Sequence, residues 1–171
     1  LVENATSSFN KLLKMSKYDL KPIKKSSDRY NVTIGSETKI SCDARIGKNV
    51  SIGNNCEIFS GCFIGDNSII GDGTKLYPNV VIYDNMIIGN NCKIDSGTII
   101  GSDGFGIIKY KNNNYSVPHI GRVIIGDDVC VGANCCIDRG TINNTVINNN
   151  CRLDNQIQIA HNVILGEGCI I

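Results

Sequence analysis

Large aliphatic residues recur at every sixth position through much of the chain, in unbroken register from Ile34 to Ile100. Glycine directly follows many of them, and the residue two places earlier is usually small, as at Ala44, Cys62 and Ser68. A period of six fits neither the turn of an α-helix nor the alternation of an isolated strand. It is typical of a solenoid whose short repeats cannot bury their own apolar face and must stack on their neighbours. The pattern therefore predicts an all-β fold, a parallel β-helix of hexapeptide repeats with three hexads to a coil.

Two segments interrupt this repeat. The first, an extended loop over residues 102–122, has a glycine-rich start and a polar tip. The second separates Ile137 from Ile147 by ten positions instead of six, which predicts a small corner bulge at residues 138–144. Insertions of this kind leave a solenoid as loops, and binding functions tend to lie in loops that a rigid scaffold holds. We therefore expect the functional site near these segments.

The start of the chain differs in kind. Residues 1–33 are predicted to form a linker with a short helix, and residues 34–171 the β-helix domain. The apolar residues expected on one helical face are Ala5, Phe9, Leu12, Leu13 and Met15. Residues 19–33, rich in Lys and Ser, are expected to connect the helix to the first coil. Residue 1 is not Met and the repeat still runs at Ile171. We thus expect a piece of a longer protein, with a domain incomplete at its C-terminal end.

Net charge, the lack of long apolar runs and the placement of cysteines exclude several classes of function. A net charge of +1 over 171 residues argues against a general electrostatic binder of nucleic acid. No long apolar run or signal-peptide pattern occurs, so no transmembrane segment is expected. Most of the nine cysteines occupy the small slot two before an aliphatic residue, namely Cys56, Cys62, Cys92, Cys135, Cys151 and Cys169. Buried cysteine behaves as a small hydrophobe, so we expect core packing, reduced thiols and a cytoplasmic protein.

Only two histidines occur. His161 comes two positions after Ile159, where its side chain is expected to point away from the prism interior, close in sequence to amide and carboxylate groups. A neutral base there and a solvated surface histidine both remain open from the residues alone. A trimeric β-helix of the γ-carbonic anhydrase type needs three metal-binding histidines for each site, so no metal site is expected.

Three motifs carry a resemblance to a known family. They are Gly101-Ser-Asp-Gly-Phe-Gly106 at the start of the long loop, Ile137-Asp-Arg-Gly140 before the bulge, and Asp154-Asn-Gln-Ile-Gln-Ile-Ala-His-Asn162 around the candidate histidine. In this order, and over essentially the whole chain, the sequence resembles the bacterial UDP-3-O-acylglucosamine N-acyltransferases of lipid A biosynthesis. The resemblance implies left-handed β-helices assembled as a homotrimer, with active sites in the grooves between subunits.

The resemblance also implies a reaction. The family transfers a 3-hydroxyacyl chain from an acyl carrier protein thioester to the 2-amino group of a UDP-sugar. No cofactor is implied, because the donor is the phosphopantetheine thioester of the carrier. The catalytic histidine of the family matches His161, and imidazole titrates near neutral pH, as a general base requires. The family's uridine-binding domain, oxyanion-binding glycine and C-terminal helices are expected to lie outside this sequence.

Other roles are less determined. We assign Asp154, Asn155 and Gln158 to orienting the imidazole or holding the sugar. His119 is expected to have a structural or interface role. Asp138 and Arg139 are expected either to form a salt bridge at the trimer interface or to contact substrate.

Two alternative functions stay open. One is a UDP-N-acetylglucosamine O-acyltransferase, whose base also lies in an Ala-His pair. That enzyme usually has Asp where this chain has Asn162, and another His where it has Gln158. The second alternative is a non-catalytic hexapeptide-repeat scaffold.

Overall fold

The computed structural model describes residues 5–16 and 31–171. It contains helix α1 at Ala5–Ser16 and a series of short strands. The strands are β1 (Thr33–Ile34), β2 (Lys39–Ile40), β3 (Arg45–Ile46), β4 (Ser51–Ile52), β5 (Glu57–Ile58), β6 (Phe63–Ile64), β7 (Ile69–Ile70), β8 (Lys75–Leu76), β9 (Val81–Ile82), β10 (Ile87–Ile88), β11 (Lys93–Ile94), β12 (Ile99–Ser102), β13 (Ile107–Tyr110), β14 (Asn113–Ser116), β15 (Val123–Ile125), β16 (Cys130–Val131), β17 (Cys136–Asp138), β18 (Thr145–Ile147), β19 (Arg152–Leu153), β20 (Gln158–Ile159) and β21 (Ile164–Leu165).

The strands form three parallel sheets that wrap one prism. Sheet 1 has the order β1-β4-β7-β10-β15-β18-β21, sheet 2 the order β2-β5-β8-β11-β16-β19, and sheet 3 the order β3-β6-β9-β12-β17-β20. Each successive strand moves to the next sheet, so three hexads complete one coil. The predicted fold class, a left-handed parallel β-helix with a short N-terminal helix and one extended loop, is confirmed.

The register shows where the two insertions leave the coils. Ile34 pairs with Ile52, one coil further along. Across the long loop Ile88 pairs with Ile125, and across the corner bulge Ile125 pairs with Ile147. The inserted residues therefore loop out while the stack of aliphatic side chains continues. Within the long loop, β13 and β14 form an antiparallel hairpin.

The core is one continuous cluster of aliphatic side chains along the prism, to which each of the three sheets contributes a stack. Residues such as Ile64, Leu76, Ile82 and Ile100 have no exposed surface. At the first coil Ile34 remains 41% exposed, because among the described residues a coil packs on only one side of it. Most of the free energy of folding is therefore contributed by contacts between neighbouring coils, as expected for a solenoid.

The small slot two before each aliphatic residue is also buried. Its Ser and Thr side chains donate hydrogen bonds to carbonyls, as Thr74 Oγ1 does to Gly89 O at 2.8 Å and Thr98 Oγ1 to Gly132 O at 2.7 Å. These bonds allow polar side chains to be buried without an unsatisfied hydroxyl group. Cys56, Cys62, Cys92, Cys135 and Cys151 are buried and free as predicted, whereas Cys169 in the last coil is partly exposed. Cys42 is exposed.

Asparagine occupies many of the corners. Asn49, Asn67, Asn85 and Asn162 all have positive φ angles, in the left-handed region that Asn tolerates better than most residues. Some corner amides also bond along the stack, as Asn49 Nδ2 does to Asn67 Oδ1 at 3.0 Å. The abundance of Asn in the sequence is therefore a feature of the corners, which the periodicity of the aliphatic residues did not indicate.

Helix α1 forms where it was predicted, but its buried face differs from the expected one. Asn10 and Leu13 are buried, whereas Phe9, Leu12 and Met15 are exposed. Asn10 Nδ2 donates to the carbonyl of Ser116 at 3.4 Å, so this face meets the hairpin. The side chain of Ala5 and most of the connector assigned to residues 19–33, up to residue 30, lie outside the described residues. Neither of the ranges that the structure describes contains a helix long and apolar enough to cross a membrane.

Candidate functional site

Both insertions leave the prism at one corner, between sheets 3 and 1, and the regular turn that holds His161 lies at the same corner one coil later. Residues 103–122 follow β12 and precede β15, residues 139–144 follow β17 and precede β18, and residues 160–163 follow β20 and precede β21. We call this edge the insertion corner. Because the three segments belong to successive coils, they stack directly on one another, and His161 lies in the last of them.

His161 is partly exposed, and its Nδ1 atom is held by two neighbours. Nδ1 lies 2.9 Å from Asn162 Oδ1 and 3.3 Å from Thr141 Oγ1. The amide orientation of Asn162 is determined by its other contacts, since Oδ1 also accepts from the backbone N–H of Thr141 at 3.1 Å and Nδ2 donates to Asn143 O at 3.4 Å. An amide oxygen can only accept, so Nδ1 carries the proton. Nε2 of His161 is then left with a free lone pair, as a general base requires.

His119, assigned from sequence to a structural or interface role, lies directly against His161. The two rings meet edge to face, with centroids 4.9 Å apart and an interplanar angle of 68°. His119 is fully buried, and its Nδ1 atom lies 2.9 Å from the carbonyl oxygen of Val117. Its Nε2 atom is buried without a hydrogen-bond partner. Burial lowers the pKa of His119, which favours the neutral imidazole. Sequence spacing could not reveal this pair, because the long loop folds back to form it.

The glycines of the long loop allow this arrangement. A Cβ atom on Gly104 would lie 2.6 Å from Cδ2 of His161, and one on Gly106 would lie 3.0 Å from Cε1 of His119. Cβ atoms are essentially never found at the shorter of these distances. The loop backbone can therefore approach the imidazole of His161 only where the side chain is a hydrogen atom.

Asp138 and Arg139 hold the start of the long loop. Asp138 accepts from Ser102 Oγ at 2.9 Å and from Gln158 Nε2 at 2.9 Å. Arg139 donates from Nε to Gly101 O at 2.9 Å and from Nη2 to the carbonyl of Asp84 at 2.7 Å. Both side chains are buried, and burial lowers the pKa of the guanidinium. The structure thus places both residues inside their own chain, where they tie successive coils together beside the insertion corner.

The three residues assigned to substrate are not all near His161. Gln158 lies on sheet 3 and reaches the insertion corner through Asp138. Asp154 and Asn155 lie in the turn before β20, at the corner between sheets 2 and 3, whereas His161 follows β20. Asn155 Oδ1 accepts from Ala133 N at 2.7 Å, and Asp154 Oδ1 accepts from Asn155 N at 2.8 Å. Both side chains are exposed, and their contact with substrate stays a prediction.

The outer surfaces of the two sheets that border the insertion corner are mostly apolar from β6 onward, whereas the earlier strands present Thr33, Ser51 and Arg45. Sheet 1 presents Ile69, Ile87, Ile124, Val146 and Ile164, and sheet 3 presents Phe63, Val81 and Ile99. Sheet 2 instead presents charged residues, among them Lys39, Glu57, Lys75, Lys93 and Arg152. Within the described residues no group of three or more His, Cys, Asp or Glu side chains could hold a metal ion.

The relatives of this chain include two bacterial proteins named as UDP-3-O-acylglucosamine N-acyltransferases. The chain is 50% identical over 93 residues to UDP-3-O-acylglucosamine N-acyltransferase 2 of Legionella pneumophila, covering 54% of this chain and 24% of that protein. It is 47% identical over 75 residues to UDP-3-O-acylglucosamine N-acyltransferase of Fusobacterium nucleatum, covering 44% of this chain and 23% of that protein. The matched part of the chain thus spans about a quarter of the length of these curated relatives.

A solved structure and a family model extend the comparison. The UDP-N-acetylglucosamine acyltransferase of Francisella novicida is 29% identical, with a TM-score of 0.54 over 75% of this chain and 44% of that one. The family model described as the GMPPB C-terminal domain matches residues 29–142, which is well over half of the chain. The resemblance to UDP-3-O-acylglucosamine N-acyltransferases is confirmed by the two named relatives, and by the extent of its match to the family model the chain belongs to the GMPPB C-terminal domain family.

Proposed function

We propose that this chain is the catalytic part of an N-acyltransferase that acts in lipid A biosynthesis. In the proposed reaction a 3-hydroxyacyl chain moves from an acyl carrier protein thioester to the 2-amino group of UDP-3-O-acylglucosamine. The amine nitrogen attacks the thioester carbonyl, a C–N bond forms and the C–S bond breaks. His161 Nε2 takes the amine proton and returns it to the departing thiolate.

The observation that carries this proposal is the hydrogen bonding of His161. Nδ1 bonds to Asn162 Oδ1 at 2.9 Å, so in the neutral imidazole the lone pair lies on Nε2 of this partly exposed side chain. An amine that attacks a thioester must lose a proton as the new bond forms, and a neutral imidazole is suited to accept it. The names of the two bacterial relatives support the choice of a UDP-sugar amine as the acceptor.

The surroundings of His161 support an apolar acyl group as the part transferred. Phe105, next to Gly104, is 86% exposed, and Ile142, next to Thr141, is 52% exposed. Ile164, three residues after His161, is 68% exposed. Exposed apolar side chains around a polar centre are typical of a surface that another apolar group covers. In this proposal an acyl chain or a neighbouring subunit covers them.

The assembly proposed for the active protein is a homotrimer in the cytoplasm. Two apolar outer sheets meet at the insertion corner, whereas the third sheet is charged. A head-to-tail ring uses two different surfaces of each subunit, and the apolar sheets 1 and 3 offer such a pair. The candidate base would then lie between subunits. The donor is proposed to be the phosphopantetheine thioester of acyl carrier protein, without any further cofactor.

The first test is an acylation assay of the complete protein with UDP-3-O-acylglucosamine and a 3-hydroxyacyl carrier protein, beside its His161→Ala variant. We expect the variant to lose roughly a hundredfold or more in kcat, which is typical of the loss of a general base. Lys48 occupies the equivalent corner position of an early coil and is exposed, so Lys48→Ala is the matched control with unchanged kcat. Full activity of the His161→Ala variant would exclude its role as the base.

The alternative of a UDP-N-acetylglucosamine O-acyltransferase is favoured by the likeness to the Francisella enzyme. The same assay separates the two, because the O-acyltransferase acts on a hydroxyl group of UDP-N-acetylglucosamine and not on a free amine. Activity on that sugar alone would move the assignment to O-acylation. A wild-type protein inactive on both sugars, with a folded β-helix, would favour the non-catalytic scaffold.

A further inference from the structure

The imidazole of His119 is a fully buried polar group that has no role in the proposed reaction. It has no exposed surface, and its ring lies edge to face against His161 with centroids 4.9 Å apart. Its Nδ1 atom is 2.9 Å from Val117 O, and its Nε2 atom has no partner. Polar atoms buried without a partner are uncommon, so one beside the candidate base calls for a physical reason.

The contacts of His119 determine where its proton lies. A carbonyl oxygen only accepts hydrogen bonds, so Nδ1 must carry the proton that bonds to Val117. Nε2 is then a bare lone pair, and the ring has no N–H left to offer to His161. Burial lowers the pKa of His119 and the nearby His161 adds to this effect, while the carboxylates of Asp103 and Asp138 oppose it. The ring therefore remains neutral where an ordinary histidine would begin to take up a proton.

We infer that His119 is a positioning residue for His161, holding the imidazole of the base by ring contact while presenting no N–H that could occupy its lone pair. The other contacts of His161 lie elsewhere on its ring, and His119 packs against the part of the ring that they do not cover. Asn162 and Thr141 hold Nδ1, and the backbone at Gly104 lies against Cδ2. The inference rests on the proposed function of His161 as a general base.

Three variants of the full protein test the inference kinetically. In His119→Ala the ring contact is lost, so we expect kcat to fall by about tenfold or more, since small displacements of a catalytic group are costly. KM for both substrates is expected to stay within about twofold, because the fully buried His119 has no exposed surface for a substrate to contact. His119→Phe keeps a ring and adds no donor, so it should recover most of kcat. His119→Gln restores a donor to Val117 without a ring, so it should resemble the Ala variant.

The pattern among the variants decides the outcome. Unchanged kcat in His119→Ala, or recovery by Gln and not by Phe, would overturn positioning by ring contact. Thermal unfolding of each variant shows whether a loss of kcat reflects unfolding. If the Phe variant does not fold, the Ala and Gln variants still test the inference. Equal losses of kcat in both would support positioning by ring contact, and full activity in either would contradict it.

A measurement independent of activity uses the ring nitrogen signals of protein labelled with ¹⁵N-histidine. The sequence has two histidines, so His161→Ala assigns the signals directly. His119 is expected to stay neutral, with its proton on Nδ1, at pH values where an ordinary histidine already takes up a second proton, because burial lowers its pKa. In His119→Ala the His161 ring signals should shift and show faster ring motion, because the ring contact is lost, while the Asn162 bond still favours the proton on Nδ1. Unchanged His161 signals would overturn the inference, whereas absence of N-acylation with the expected signals would overturn only the proposed function.

Discussion

At the scale of single residues, the imidazole of His161 is surrounded by groups with distinct tasks. Asn162 and Thr141 lie at Nδ1, His119 lies against the ring, and the backbone at Gly104 lies beside Cδ2. Gly104 and Gly106 of the loop motif are explained by these contacts, because an added Cβ would meet the imidazole of His161 at the first position and that of His119 at the second. The motif therefore needs these glycines because the loop backbone approaches the imidazoles closely, and not because the loop must be flexible.

The substitution Gly104→Ala tests this contact. Its Cβ would lie 2.6 Å from Cδ2 of His161, so the ring must move and kcat is expected to fall by about tenfold or more. Gly166 offers a matched control, because the nearest atom to its added Cβ is Cys169 Sγ at 3.8 Å. Gly166→Ala should keep full activity. Equal activities of the two variants in the acylation assay would show that the close approach has no effect on the base.

Asn162 is expected to matter through the proton on Nδ1 of His161. Asn162→Ala removes the 2.9 Å bond that selects this tautomer, so kcat should fall by roughly tenfold or more. Asn150 has a similar left-handed φ of 59°, against 65° at Asn162. Asn150→Ala therefore controls for the backbone strain of the substitution. A comparable loss of kcat in both variants would argue against an orienting role.

At the scale of elements, the short strands make every coil alike and the corners make them different. Most strands have two residues, of which one side chain enters the core and the other faces out. Both insertions leave at the insertion corner, so the column of aliphatic residues continues past them. Met86 fills a small slot with a large side chain in the coil just before the long loop. Its sulfur accepts from Val123 N at 3.2 Å and it lies against Gly101, so the larger side chain packs where the loop departs.

Burial in the inward slot, two positions before each aliphatic residue, predicts which cysteine thiols react slowly with an alkylating reagent. Burial raises the pKa of Cys56 and Cys62, and that of Cys92 to about 11. At pH 8 only about one Cys92 side chain in a thousand would be the reactive thiolate. Iodoacetamide should therefore modify the exposed Cys42 quickly in the native protein and leave Cys92 intact, as peptide mass mapping would show.

Denaturation is the control for this experiment, since all nine cysteines should then react. Fast alkylation of Cys92 in the folded protein would contradict the burial of the slot.

At the scale of the whole molecule, the described prism has one mostly charged side and two mostly apolar sides. The charged side carries the ion pair of Lys75 with Glu57 at 3.0 Å, both partly exposed, which adds little stability and keeps that surface hydrated. The apolar sides meet at the corner that holds His161. A subunit packed against them would bury apolar surface next to the base, which is why activity is proposed to depend on assembly.

Ile69→Lys tests the proposed assembly, because Ile69 lies on the outer surface of sheet 1 and is 47% exposed. We expect the wild-type protein to have three times the mass of one chain in analytical ultracentrifugation. The variant should shift towards the mass of a single chain, since burying an unpaired charge at an interface is unfavourable. Lys39→Ala on the charged sheet is the control. A wild-type protein with the mass of one chain would contradict the trimer.

The fold followed from the sequence because the aliphatic period is local and repeats through the chain. Each hexad sets its own inward side chain, so Ile64 or Leu76 could be assigned to the core without any long-range contact. The short helix was also predicted, although its buried face was not, because only its contact with the hairpin at Ser116 determines which side is covered. The abundance of Asn was visible, but its role at the corners depended on φ angles that composition does not reveal.

For the site, the sequence by itself determined the candidate base and the segments near it. His161 and the glycine loop could be identified from motifs, because a motif consists only of residue types in a given order along the sequence. Only the tertiary structure decided which groups touch the imidazole. The folded long loop places His119 against His161. Asp138 and Arg139 form hydrogen bonds between coils of their own chain. Asp154 and Asn155 lie at a different corner of the prism. The physical reason is that coil stacking brings together residues far apart in sequence, while a short strand places near neighbours on different edges of the prism.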